Sequence, residues 1–161
     1  NELLQMWPRI IGAVPEASLV ITSDYRLWGA NFRGNERFVQ SAMGMSGVTF
    51  LGAVPRPRLV EEQLKAEVLP YPCSYNELFC YAVAECEVAG ALPITTHIGA
   101  LDTTNTGWFS EKENFADTVI KALNTSPEAV SISRTIFTKL ARQRFSPERI
   151  LKEWDTKVFG L

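Results

Sequence analysis

Glu77 and Glu85 lie eight residues apart in the segment Tyr71-Pro72-Cys73-Ser74-Tyr75-Asn76-Glu77-Leu78-Phe79-Cys80-Tyr81-Ala82-Val83-Ala84-Glu85-Cys86-Glu87-Val88-Ala89-Gly90. The apolar run 68–71 reads as a strand ending at Pro72, and 77–89 as a helix closed by Gly90. Eight residues are slightly over two helical turns, so both carboxylates are expected on one side of that helix. A glutamate in the first turn would sit among free backbone N–H groups at the positive end of the dipole. Such N–H groups hold phosphates or hydroxyls, and a carboxylate accepts both protons of a vicinal diol. Spacing and place together suit a nucleotide sugar lying across a helix N-terminus. The plainer alternative is a helix with solvated acids on its outer face. Against it, Leu78, Phe79, Val83, Ala84 and Val88 make the rest of the helix apolar, so Glu85 is flanked by core residues.

Other chemically capable side chains read more simply. His97 follows a strand and could face the same edge, yet a lone histidine is more often a satisfied structural residue. Arg26, in Asp24-Tyr25-Arg26-Leu27-Trp28-Gly29, fits a solvated or Trp-stacked arginine better than a phosphate ligand. Tyr25, Trp28 and Phe32 suit core or interdomain packing. Arg56 and Arg58 flank Pro57 at a helix start, where positive charge opposes the dipole; the placement hints at an anion or partner nearby, but plain exposure is the favoured reading of both. Cys73, Cys80 and Cys86 are odd in number and lack zinc-site spacing, so they read as small packed thiols in a reducing, cytoplasmic setting. The sequence has no Asp-x-Asp and no convincing general base, which fits metal-independent chemistry without a cofactor.

These residues need a scaffold, and the apolar periodicity supplies one. Short strands are expected at 18–22, 48–51, 68–71 and 92–96, the last with Pro93 at an end or a non-donating position. Helices are expected over 3–14, with Pro8 early in it or bending it, and over 35–43, 58–66 and 77–89. Three more follow near 111–124, 127–142 and 146–157. Ile132, Ile136 and Leu140 form one stripe of the second, and Ser146-Pro147 starts the third. Strands alternating with helices imply an α/β fold, a Rossmann-like parallel sheet with helices on both faces. Ligands bind such sheets at the carboxyl ends of the strands, which singles out the loops 23–30, 52–57 and 72–78.

Composition narrows the function classes. A 161-residue chain, 46% apolar and 21% charged, has the size and makeup of one globular domain. Its net charge of −2 argues against a nucleic-acid partner. No apolar run approaches the roughly 20 residues that span a bilayer.

The segment around Glu77 resembles the signature of the family-4 retaining glycosyltransferases of GT-B fold: Pro-Ser, then Glu-x-Phe-Gly, four residues, Glu-Ala and a later Gly-x-Pro. Here it runs Pro72-Cys73-Ser74, Glu77-Leu78-Phe79-Cys80, Glu85-Cys86 and Gly90-Ala91-Leu92-Pro93. A bacterial subgroup with Tyr-Pro, Glu-x-x-Cys and Gly-Ala-Leu is closer still, compare Gly99-Ala100-Leu101. Trp7-Pro8-x-Ile10, Val14-Pro15, Val48-x-Phe50-Leu51-Gly52-x-Val54 and the stretch from Ser146 to Trp154 extend the likeness over nearly the whole chain.

The resemblance implies that residues 1–161 are the C-terminal, donor-binding domain of such an enzyme. The first strand, the N-terminal acceptor domain and the phosphate-gripping Arg and Lys would then lie upstream of Asn1, leaving this chain an inactive fragment. Glu77 would contact hydroxyls of the donor sugar and carry the catalytic role, and Glu85 would bind the ribose diol. The Leu78-Phe79-Cys80-Tyr81 backbone would line diphosphate and sugar, and Gly52-Ala53-Val54 would hold the edge of a uracil or guanine base. The implied partners are a UDP or GDP sugar, the N-terminal domain, and a glycan, lipid or small-molecule acceptor, with contact at a membrane made through the missing half. Three positions depart from the pattern: Cys80 replaces a Gly, His97-Ile98-Gly99 stands near a usual Gly-Gly pair, and Leu101-Asp102-Thr103-Thr104 where a Glu is common. A GT-B-like nucleotide-sugar epimerase and a non-catalytic, flavodoxin-like interaction domain are the alternatives.

Overall fold

The computed structural model describes residues 2–23 and 32–160. In chain order the elements are α1 (Glu2–Ala13), β1 (Leu19–Ile21), α2 (Phe32–Met43), β2 (Val48–Phe50), α3 (Arg56–Lys65), β3 (Val68–Tyr71) and α4 (Tyr81–Ala89). Then come β4 (Leu92–Thr95), α5 (Leu101–Thr104), β5 (Trp108–Phe109), α6 (Phe115–Leu123), α7 (Pro127–Arg144) and α8 (Pro147–Trp154). A short 3-10 turn precedes α6 and a π turn follows α8.

Among the described residues all strand pairings are parallel: β1 with β2 in one sheet, and β3 with β4 with β5 in another. Successive side chains of a strand point to opposite faces. Val68, Leu92 and Ile94 accordingly join the core built on Leu4, Trp7 and Ile10 of α1 and Phe115 and Val119 of α6. Leu69 and Tyr71 join a second cluster with Cys73, Cys80, Val83 and Leu101. Helices therefore cover both faces, and the fold is the α/β, Rossmann-like one expected.

Two prolines inside strands fit this ladder. In a parallel pair the amides of alternate residues face the same neighbour. Leu92 N–H donates to Glu67 O, so the nitrogen of Pro93 faces away from β3 and that of Pro70 faces away from β4. Neither removes a β3–β4 hydrogen bond, and Pro93 occupies the non-donating position expected of it. Gly107 completes the arrangement, since a Cβ there would fall 2.3 Å from Pro93 O.

Several elements differ from expectation. Pro8 lies past the first turn of α1, on its exposed side. The stripe Ile132, Ile136 and Leu140 of α7 faces outward, while Ala141 is buried and the helix packs against α4. Four residues of α5 and two of β5 are too short to leave a periodic signal.

A buried acid ties α4 to this frame. Glu87 is fully buried and accepts from Thr106 N–H at 2.6 Å through Oε1, while Oε2 has no partner. Burial holds its carboxyl above the ordinary carboxylate range, partly offset by Thr106 and the Arg144 guanidinium. Between its unfolded and folded values the native state keeps a proton that the unfolded chain has lost, so stability contributed by Glu87 is present at low pH and is lost as pH rises through the folded value. Glu87→Gln should therefore match the wild type in acid and become progressively more stable than it toward neutral pH, by about 1.4 kcal/mol per unit of raised pKa. Urea titrations of both proteins from pH 4 to 7.5 measure this; a constant difference across that range would contradict it.

Candidate functional site

The carboxyl ends of β3 and β4 carry the loops that hold the predicted residues. Tyr71, the last residue of β3, meets the side chain of Glu77: its hydroxyl donates to Glu77 Oε1 at 2.7 Å. Tyr75 OH donates to the same oxygen at 2.9 Å, and the two phenols are 2.9 Å apart. Burial first, then the hydrogen bonds with Tyr75 and Glu77, push the Tyr71 phenol well above its ordinary value, so it remains a hydrogen donor. One carboxylate oxygen of Glu77 is thus anchored, leaving Oε2 without a hydrogen-bond partner among the described residues. The turn is fixed from beneath as well. Thr96 Oγ1 donates to Cys73 O at 2.7 Å and receives Cys73 N–H at 3.2 Å, stapling the two strand ends.

Glu77 does not lie in the first turn of a helix. The helix begins at Tyr81, with Cys80 as its N-cap, and 72–80 is a loop. The reason is a competing partner: Glu77 O, which in a longer helix would accept Tyr81 N–H, accepts Ala100 N–H at 2.8 Å instead. The shared helical side expected for Glu77 and Glu85 is overturned with it.

Cys80 adopts φ −93° and ψ 94°, extended backbone open to any residue, so the replacement of Gly brings no strain there. Its side chain is buried in the second cluster and makes no cap hydrogen bond. No side-chain cap hydrogen bond closes the start of α4, where the Cys80 sulfur lies beside the N–H groups of Ala82 and Val83. Burial pushes the Cys80 thiol up, and Cys86 is raised to about 12, first by burial and then by Glu85. Both behave as packed, unreactive thiols, and all three cysteines are free and buried.

Around the helix start the side chains turn outward: Leu78 is 92% exposed and Tyr81 73%. Phe79 packs edge-on against Tyr81 and against Phe145 at the end of α7. Glu85, one turn into α4, is only 26% exposed at its side chain, and Arg56 Nη1 sits 2.7 Å from its Oε1. Gln63 Nε2 donates to its Oε2 at 2.9 Å. Arg56 is exposed, as expected, and in addition meets a carboxylate at the start of α3. Arg58 pairs within α3 with Glu61 and Glu62. The loop Gly52-Ala53-Val54 leaves the carboxyl end of β2, with Gly52 at φ 67°, and delivers Arg56 to Glu85.

His97 and Asp102 form a further pair on this edge, Nδ1 to Oδ1 at 2.9 Å. Arg26, Tyr25 and Trp28 lie outside the described residues. A hollow of about 550 Å³ beside Gly90, Arg134, Lys139 and Arg142 lies at the other end of α4 and takes in none of these residues. Among the described residues no three metal-ligating side chains converge, and no helix is long and apolar enough to cross a membrane.

Sequence reasoning missed Tyr71, Tyr75, Arg56 and Gln63. A tyrosine at a strand end six residues before an acid was the available signal for the first two. The contacts of Arg56 and Gln63 with Glu85 span 29 and 22 residues, and the one signal was the dipole-opposed place of Arg56 at a helix start.

No protein-family model matches this sequence, and no curated protein does. Among solved structures, HepE of Anabaena in complex with UDP-glucose is similar over 94% of this chain, with a TM-score of 0.67 and 15% identity. HepE in complex with UDP and glucose is similar over the same share, with a TM-score of 0.65 and 16% identity. In both cases the chain spans 44% of the length of the solved structure. The likeness bears out the fold, an α/β arrangement of the GT-B kind.

Proposed function

We propose that this chain is the donor-binding domain of a retaining glycosyltransferase, the C-terminal half of a two-domain enzyme of the family-4 kind. The observation that carries the reading is the pair of acids on either side of an uncapped helix start. Glu77 is anchored through one oxygen by Tyr71 and Tyr75, and Glu85 lies beyond the start of α4, paired with Arg56 at the start of α3. The resemblance of the motif, and a fold shared with a protein crystallised with UDP-glucose, support it.

In this reading the diphosphate lies over the N–H groups of Tyr81 and Ala82, where the helix dipole favours negative charge. Glu77 receives hydroxyls of the sugar through Oε2, and Glu85 receives the ribose diol. The main chain of Gly52, Ala53 and Val54 holds the base, and Leu78, Phe79 and Cys80 line the donor with backbone. Transfer with retention passes through an oxocarbenium-like state as the diphosphate leaves. The domain accelerates it by holding the donor in place and stabilising charge on the leaving group through fixed N–H dipoles. The acceptor site and the remaining phosphate ligands belong to the other half, so residues 1–161 alone should bind donor without turning it over.

Titration calorimetry with UDP, GDP and their glucose esters tests this. Saturable binding of one nucleoside diphosphate, with no sugar transfer by the isolated chain, is the expected result. Absence of binding to all four would favour an interaction domain instead.

A further inference from the structure

We propose that His97 is a specificity-determining residue of the donor site, its Nε2 accepting a hydroxyl of the bound sugar; this rests on the donor-binding reading above. The imidazole stands just beyond the carboxyl end of β4. Two residues on, the chain presses against Glu77: a Cβ on Gly99 would lie 2.7 Å from Glu77 O, and Ala100 N–H donates to that same oxygen. His97 is therefore on the loop that is packed against the residue assigned to the sugar.

The ring is held twice. Asp102 Oδ1 engages Nδ1 at 2.9 Å, and the face of the ring stacks on Phe109 at 4.2 Å with planes 10° apart. The first contact fixes rotation of the ring and the second its tilt. The Asp102 contact adds little to the stability of the fold, since the His97 and Asp102 side chains are 55% and 53% exposed. What the two restraints accomplish is to aim Nε2. A carboxylate has no proton to give, so Nδ1 carries the hydrogen, and whenever the ring is neutral its lone pair stands at Nε2. That lone pair accepts from a hydroxyl, which a hexose supplies several times over, whereas the oxygens of a diphosphate have no hydrogen to offer it. Asp102 is a positioning residue in this arrangement.

The test separates sugar from diphosphate. Calorimetry on wild type, His97→Ala, His97→Gln and Asp102→Asn, with UDP, GDP and their glucose esters, gives for each protein the ratio of sugar-nucleotide affinity to free-nucleotide affinity. His97→Ala should lower that ratio by about three- to tenfold while leaving the free nucleotide unchanged, His97→Gln should recover part of it through its amide oxygen, and Asp102→Asn should lower it less than His97→Ala. Unchanged free-nucleotide affinity also certifies that the variants are folded. An unaltered ratio in His97→Ala overturns the proposal, as does an equal loss for free and sugar-linked nucleotide, which would assign the histidine to the diphosphate. If wild type binds no nucleotide at all, the donor-binding reading itself falls.

Discussion

Replacing Glu85 by glutamine is expected to weaken nucleoside diphosphate binding by about ten- to a hundredfold, the worth of a hydrogen bond to a charged group. The carboxylate already meets Arg56 through Oε1 and Gln63 through Oε2. Each carboxylate oxygen has two lone pairs, so these contacts orient the group and leave it able to accept both protons of a ribose diol. An amide has one accepting oxygen, and its NH₂ would face the diol or Arg56 as a donor against a donor. The fold should survive, because the Arg56 side chain is 63% exposed and an ion pair in that setting contributes less than about 1 kcal/mol. Glu77→Gln offers the contrast: affinity for the free nucleoside diphosphate should persist while preference for the sugar nucleotide falls. Calorimetry with thermal melts of both variants decides the matter. Unchanged affinity in Glu85→Gln, or its outright unfolding, would make this acid a structural residue.

The layers of the fold were legible in the sequence because local physics writes them there. Val68 and Leu69 are adjacent apolar residues serving opposite faces, and a short continuous apolar run is what a strand covered on both sides must look like. Gly90, left-handed at φ 90°, closes α4 where the reading placed its end. The start of that helix was misplaced by four residues because the competing partner of Glu77 O is Ala100 N–H, 23 residues away and silent in any local window. The same distinction divides the candidate site. Glu77 and Glu85 are visible from type and spacing. What aims them, the Tyr71 and Tyr75 hydroxyls and the Arg56 and Gln63 side chains, depends on loops folding back and on α3 meeting α4. His97 shows the limit from the other side, since its partners Asp102 and Phe109 lie on α5 and β5, the two elements too short to be foreseen.

The largest effect on the fold and the site together is expected from Gly99→Ala. Gly99 has φ +56°, a left-handed conformation that costs a residue with a side chain about 1–3 kcal/mol. The new methyl would also lie 2.7 Å from Glu77 O, 2.8 Å from Glu77 N and 3.2 Å from Asn76 C. All three are backbone atoms of the loop 72–80, so no rotamer change relieves the contact, and the loop itself must move. Moving it breaks the Ala100 N–H to Glu77 O hydrogen bond and shifts the acid relative to the tyrosines that hold it. The variant should therefore lose about 2–4 kcal/mol of stability, in the range of strained-backbone substitutions. It should also lose the preference for sugar nucleotide over free nucleotide. Gly12→Ala is the matched control, since it lies in α1 with nothing within 4 Å of the added methyl. That change should stabilise the protein by about 0.5–1 kcal/mol through helix propensity and a less flexible unfolded chain. Urea unfolding and calorimetry on both variants provide the comparison. If Gly99→Ala unfolds with the wild-type midpoint and keeps its ligand preference, the loop after β4 does not brace Glu77, and the site loses the support proposed for it.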